Sequence, residues 1–315
     1  MRTNKLPLDI RMEIYENSKK LYNNGFGIKE ISHKLFSEYK IQVPKDTIYR
    51  WVKNRNKPNG TFNVFVPKMS SELSYIVGVL FGDGTIRIRP QYYDYSIRLK
   101  VKDKDFAETF SMALAKTLNK PKPYLISKEK DFTRGNRLRY VCEGGSKSLI
   151  EFLSKPMSEL LYFINPYYID FLRGIFEAEG FTSITATKKF IVGAGMANTN
   201  LELLQFVKST LDKEFGIASS IMLSMKKDEK VRIWGRNYKA NKNVYTLIIR
   251  NSHVKQFHEK IGFTIKRKQE KLKEALDLLE GSSSNEVALE KWRKNYTKVG
   301  REWRKIINSE GSPEG

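Results

Sequence analysis

A single cysteine, Cys142, in 315 residues excludes an intramolecular disulfide and a Cys-rich zinc site. Histidine is nearly as scarce. His33, His253 and His258 are the three present, and their spacing matches neither a zinc protease nor a zinc finger. No stretch approaches the roughly 18 consecutive apolar residues of a membrane span, and the N-terminus lacks a secretory apolar core. Acid is short too: 35 Asp+Glu stand against 57 Lys+Arg, a formal +22 with pI near 9.8. Such a surplus favours a polyanionic partner, nucleic acid being the commonest. What is plentiful is core material, with 40% hydrophobic residues including 18 Phe alongside 16 Tyr. The length suits two or three domains. A soluble protein of the cytoplasm or another intracellular compartment is expected, organelles included.

Residues 1–58 form a unit by pattern. "RMEIYENSKKLYNNG" sets Ile14, Leu21 and Tyr22 among charges and stops at turn-forming Asn23-Asn24-Gly25. "GIKEISHKLFSEY" puts Ile28, Ile31, Leu35 and Phe36 on one helical face. "PKDTIYRWVKNR" follows, with Pro44 suited to a first helical turn. Three short helices, the last basic and aromatic, make a helix-turn-helix candidate. The segment resembles the helix-turn-helix regions of resolvase- and transposase-type proteins. That resemblance implies that Lys45, Thr47, Arg50 and Lys53 face DNA while Ile48 and Trp51 face the core. Residues 1–60 carry 13 basic and 6 acidic side chains, a net +7, which suits phosphate contact. Residues 59–70, within "NRNKPNGTFNVFVPKMS", read as a linker.

Further on, "FLRGIFEAEG" (171–180) is an apolar helix that ends in Glu177 and Glu179 before Gly180. Carboxylates are disfavoured there, at the negative end of the helix dipole. The device recurs in "YIVGVLFGDG" (75–84). A shift of 96 residues sets Gly78 on Gly174, Gly82 on Ala178, Asp83 on Glu179 and Gly84 on Gly180. Glu177 falls on Phe81, so it is expected to be solvated or salt-bridged and not a metal ligand. Small residues four apart let two helix backbones approach closely, which would bring the acids together. Two carboxylates suit a hard divalent cation.

The order of signals repeats as well. Strand patterns "YSIRLKVK" and "KFIVGAGM" follow the two apolar helices. Amphipathic helices "DFAETFSMALAKTLN" and "LELLQFVKSTLDKEFG" come next, then strands "RLRYVCEG" and "VYTLIIRN", then closing helices. The fold class is therefore α+β, built of two similar halves, 71–165 and 166–280, plus the small all-α unit. "GSSSN" at 281–285 reads as a flexible break. Beyond it, 281–315 is a basic tail expected to be helical, lying on DNA or packed back on the body.

The paired motifs resemble the two copies of the LAGLIDADG motif of homing endonucleases in their single-chain form. The likeness extends from about Ser71 to Leu279, including "EKIGFTIKRKQEKLKEAL". It implies a monomer of two pseudo-symmetric halves whose strands form a saddle over double-stranded DNA with a long target site. The implied activity is double-strand cleavage with Mg²⁺, or Mn²⁺ in its place. The implied metal residues are Asp83 and Glu179 with the preceding Gly82 and Ala178. Lys102 and its counterpart Asn198, with Lys242, are candidate accessory catalytic residues. Arg87, Arg89, Arg98, Lys100, Lys188 and Arg232 lie in predicted strands, where alternate positions share a face and can line a groove. Tyr92, Tyr93 and Tyr95 can stack or pack. Alternative readings are a transcription regulator reusing the fold without cleavage, an RNA maturase, and a structural DNA-binding protein.

Overall fold

A computed structural model of the chain describes residues 6–58, 65–92, 94–132, 135–233, 236–250, 252–300 and 302–306. The chain divides into two compact units, Met1–Val64 with Arg89–Asp94, and Phe65–Ile88 with Tyr95–Gly315. Half of the expected linker, residues 59–64, lies outside the described residues.

The N-terminal unit holds helices α1 (Leu8–Asn23), α2 (Ile28–Tyr39) and α3 (Lys45–Val52). Ile14, Tyr15, Ile31, Leu35, Val43, Ile48 and Trp51 close one core, with the Tyr15 and Trp51 rings edge to face at 5.8 Å. A tight turn at Gly25 (φ +88°) separates α1 from α2. Glu30 reaches back to accept from the Gly27 amide at 2.8 Å, which satisfies an orphan donor at the helix start. Ile31 and Leu35 take the buried face as expected, but Phe36 is 50% exposed. One residue past Leu35 is a further ~100° round the helix, too far for so short a helix to bury it here.

The larger unit opens with α4 (Ser71–Leu80), capped by the Ser70 hydroxyl, which accepts from the Leu73 amide at 3.1 Å. It continues through β1 (Gly84–Arg89), β2 (Asp94–Val101), α5 (Lys104–Thr117), β3 (Ile126–Asp131), β4 (Arg137–Gly144), α6 (Lys147–Leu153) and α7 (Met157–Tyr162). Its first sheet has the order β1-β2-β4-β3. Next come α8 (Tyr168–Glu179), β5 (Gly180–Ala186), β6 (Phe190–Asn198), α9 (Leu201–Phe215) and β7 (Ser219–Met225). A small hairpin, β8 (Lys230–Ile233) and β9 (Arg236–Lys239), precedes β10 (Val244–Arg250) and α10 (Ser252–Lys260). The second sheet runs β5-β6-β10-β7, so first, second, last and third strands adjoin in both. Alternation along each strand sends Ile97, Leu99 and Val101 from β2, and Val192, Ala194 and Met196 from β6, into one core with the helices. Phe65, from the expected linker, joins that core against Phe152 at 5.3 Å.

Two helices and a hairpin finish the chain: α11 (Lys266–Glu280), α12 (Asn285–Asn295), β11 (Tyr296–Val299) and β12 (Glu302–Lys305). The expected break at 281–285 is instead an ordered joint. Asn285 accepts from the Phe190 amide at 2.7 Å and donates to its carbonyl at 2.8 Å. The Ser284 hydroxyl caps α12. The tail packs back on the body: Trp292 is buried, stacked on Tyr296 at 3.9 Å and tilted against Phe190 at 5.3 Å.

Candidate active site at the paired helix ends

Helices α4 and α8 pack together through their small residues. A Cβ added at Gly78 would collide with the Phe171 carbonyl oxygen and lie 2.9 Å from the Ile175 nitrogen. One added at Gly174 would strike the Tyr75 carbonyl and approach the Val79 nitrogen to 3.0 Å. A turn farther on, Gly82 abuts the Ala178 methyl. These contacts are backbone on backbone, so nothing larger than glycine fits at 78 or 174. Gly costs about 1 kcal/mol against Ala inside a helix, an expense set against the apolar area two such buried helices hide. Phe171, Leu172, Ile175 and Phe176 of α8, and Ile76, Val77 and Val79 of α4, are all buried.

This crossing carries both helix ends to one place. Asp83 stands in the turn after α4, and Glu179 closes α8. Burial first, then the negative charge of Asp83, pushes the Glu179 carboxyl up to about 7. The two acids therefore feel each other, as like charges brought close do.

One cation near these ends belongs to the protein. Lys268, in the first turn of α11, donates its ammonium to the carbonyls of Glu177 (2.7 Å), Gly180 (2.6 Å) and Phe176 (3.3 Å). All three acceptors lie at the end of α8, where the negative end of the helix favours a cation. Burial, then the neighbouring Arg267, lowers its pKa to about 8, with Asp103, Glu177 and Asp83 opposing. Arg267 grips Asp103 with two bonds of 2.6 and 2.8 Å, and the Lys266 amide donates to Asp105 at 2.7 Å. The start of α11 is thus stapled to both halves.

Glu177 differs from its expectation. It is 1% exposed, neither solvated nor paired to a surface cation. It accepts from the Tyr75 hydroxyl, the Thr264 hydroxyl and the Thr264 amide, the last at 2.9 Å. Burial raises its pKa and these donors hold it down. The contact joins α8 to Tyr75 of α4 and to Thr264.

A cavity of about 480 Å³ opens beside Asp83, lined also by Ala178, Lys100, Lys102, Arg139 and Lys268, with Asp103, Asp131 and Glu177 on its wall. Lys102 therefore lines the same cavity as Asp83. Asn198 and Lys242 are not among the lining residues: Asn198 accepts from the Asn200 amide at 2.9 Å, and Lys242 is exposed in the β9–β10 connection. Sequence reasoning also missed Arg139, held by Asp131 at 3.5 Å.

On the outer face of the first sheet Arg87 meets Glu143 at 2.8 Å, Arg98 meets Glu129 at 2.6 Å, and Lys100 meets Glu129 at 3.5 Å. Arg89 pairs with Asp94. Tyr95 packs against the core; Tyr93 and the Tyr92 side chain lie outside the described residues. Lys188 sits in the β5–β6 turn and not in a strand, while Arg232 is exposed on β8. In the N-terminal unit, Ile48 and Trp51 are buried and Lys45, Arg50 and Lys53 are exposed, with Thr47 half-buried. Arg50 pairs with Asp46 at 3.1 Å, and Lys53 donates to the Tyr22 hydroxyl at 2.7 Å.

Comparison with known proteins bears on this arrangement. The LAGLIDADG-like domain matches residues 166–262, which include Glu179. The uncharacterized protein MJ0398 of Methanocaldococcus jannaschii is 37% identical over 270 residues, covering 85% of this chain and 95% of that protein. The chain belongs to that protein's family and carries a LAGLIDADG-like domain. Among solved structures, the homing endonuclease I-DmoI in complex with DNA and Mn is 22% identical, covering 62% of this chain and 98% of that one, with a TM-score of 0.41. The N-terminal LAGLIDADG domain of WhiA is 20% identical, covering 68% and 91%, with a TM-score of 0.37. Among the described residues no helix is long and apolar enough to cross a membrane.

Proposed function

We propose that this LAGLIDADG-like protein is a site-specific double-strand DNA endonuclease, a single chain whose two halves each supply one acid. The observation that carries the reading is the convergence of Asp83 and Glu179 at the ends of two helices crossed through glycine. The donor set fits a hard divalent ion. Among the described residues no group of three or more His, Cys, Asp or Glu gathers to hold a metal, so two carboxylates would share an ion that keeps its waters, as Mg²⁺ does and Mn²⁺ can. Asp83 and Glu179 would hold it, beside Gly82 and Ala178. Bound there, it supplies charge stabilisation at a phosphate and a more acidic water.

The chain's own residues do the rest. Lys268 fixes the end of α8, and with it the backbone that carries Glu179. Lys100 and Lys102 line the cavity with the acids Asp83, Asp103, Asp131 and Glu177, and these two lysines would meet a phosphate backbone there. The N-terminal helices act as a helix-turn-helix unit, with α3 directed to the major groove. Selection of cleaved sites from a randomised duplex library with Mg²⁺ tests the reading, and recovery of one long double-strand-cut site is expected. Specific binding without metal-dependent cutting would make the protein a regulator that reuses the fold. Preference for folded RNA would make it a maturase.

A further inference from the structure

We propose that the outer face of the second sheet reads thymine methyl groups, giving a chemically lopsided target: guanine- and cytosine-directed on one half-site, thymine-rich on the other. The inference rests on the endonuclease reading above and concerns only how its DNA is recognised.

The two sheets share strand order but not chemistry. The strands of the first sheet hold eight basic and four acidic side chains. Those of the second hold one charged residue, Arg250. Register assigns the outer face of the second sheet. The pairs Leu247 with Met196 and Ile249 with Ala194 point into the core. The alternate residues Phe181, Ile191, Ile248 and Met222 therefore point out, among the hydroxyls of Ser183, Thr185, Ser220 and Thr246. Ile191 and Met222 are 45% and 46% exposed. Phe181 and Ile248 close over Gly195, within 3.1 and 2.9 Å of where its Cβ would stand.

That face is continuous with the acids. Gly84 opens β1 directly after Asp83, and Gly180 opens β5 directly after Glu179. Each acid is thus joined directly to the edge strand of its own sheet, so a duplex held at both carboxylates would meet both sheets. Positive charge in the second half lies in its strand connections, Lys188 and Lys189 in the β5–β6 turn and, above all, the hairpin between β7 and β10. Residues 226–242 carry seven basic and two acidic side chains, a net +5 beside a sheet whose strands hold Arg250 alone. A polyanion held by its phosphates on that hairpin would set its base edges against Ile191, Ile248 and Met222.

Base chemistry then names the ligand. In the major groove the apolar handle is the thymine C5 methyl, and Ser and Thr hydroxyls accept either sense of base pair. Bidentate purine reading needs Arg, Lys, Asn or Gln, and the outer face of the second sheet offers Arg250 alone among the assigned positions. The first sheet has the opposite equipment. Arg87 and Arg98 suit guanine, and Glu129 and Glu143 can accept from cytosine.

The test uses the full-length protein and the site it selects. Iron–EDTA tethered at Ser220→Cys, Cys142 being buried, identifies the half-site against the second sheet. Deoxyuridine then replaces thymidine in one half at a time. Affinity should fall about fourfold for each methyl removed in the tethered half and stay unchanged in the other. In Ile191→Ser and Met222→Ser, exposed positions that leave the core intact, the distinction between thymine and uracil should shrink accordingly. Equal effects in both halves, or none, overturn the proposal while leaving a nuclease. Concentration-dependent dimers abolished by Met222→Ser would assign the face to a second copy and overturn it as well. Failure to bind any duplex would remove the endonuclease reading and this inference with it.

Discussion

At the scale of single residues, the two acids and the buried Glu177 make opposite demands. Asp83→Asn or Glu179→Gln is expected to abolish cleavage and to keep specific DNA binding, since each amide holds the shape without the charge. Gel-shift and cutting assays on one duplex check it, and undiminished cutting would refute the assignment. The raised Glu179 carboxyl adds a pH dependence. Its pKa is about 7 in the folded protein against 4.5 for the free group, so the folded state resists ionisation. Metal-free stability should therefore fall as pH rises from about 4.5 to about 7. A divalent ion needs the carboxylate, so its affinity should drop about tenfold per pH unit below 7 and level off above. Calorimetric titration with Mg²⁺ or with Ca²⁺ reads this; an affinity flat between pH 5 and 8 would mean Glu179 is not a ligand. Glu177 is a structural counterpart. Three donors converge on it, and Glu177→Gln turns an N–H toward at least one of them. Unfolding by urea should show a loss of about 1–3 kcal/mol.

At the scale of elements, misplaced charge is the signal that sequence carries, and it carries it for one partner at a time. Acids at the end of α8 announce the site from the sequence. The matching anomaly is Lys266, Arg267 and Lys268 at the positive start of α11, and Lys268 is the cation that the end of α8 receives. Its distance along the chain, 88 residues from Gly180, hides the pairing. The same holds for Arg98 and Glu129, 31 residues apart: strand periodicity shows which face a residue takes, not which neighbour the register brings. Gly78 and Gly174 are legible because spacing alone marks a close crossing, and the packing meets that expectation at the backbone atoms themselves. From this comes a quantitative expectation. Gly174→Ala sets a methyl against the Tyr75 carbonyl and the Val79 nitrogen, which cannot rotate aside. Overpacking of this kind costs about 1–3 kcal/mol, and rigid neighbours favour the upper end. The denaturation midpoint should fall with an unchanged slope. A neutral Gly174→Ala would mean the helices are farther apart.

At the scale of the whole molecule, charge is distributed between the two compact units. The N-terminal helices bring their own core and a net +7 over residues 1–60, while the acids lie wholly in the larger unit. The cut belongs after residue 64, because Phe65 packs on Phe152 and its amide donates to the Ser148 hydroxyl at 2.9 Å. Removing residues 1–64 should then leave a folded, metal-dependent nuclease that binds its site more weakly, without a tethered second hold on the duplex. Lys45, Arg50 and Lys53 are the exposed cations of α3 and the residue after it. For every phosphate these side chains neutralise, truncation should make the log–log salt slope of binding shallower by about 0.9. The Arg50–Asp46 pair does not oppose this, since an exposed ion pair contributes about 0–1 kcal/mol and yields readily to a phosphate. Arg50→Ala should reproduce part of the change in slope. Trp51→Ala should act differently, emptying the space beside Tyr15 at a cost of about 3–5 kcal/mol and unfolding the small unit while the nuclease stays intact. Affinity against salt for the full-length, truncated and Arg50→Ala proteins on one duplex distinguishes the cases. Three identical slopes would mean that α3 does not touch DNA, and its exposed face would then belong to a protein contact.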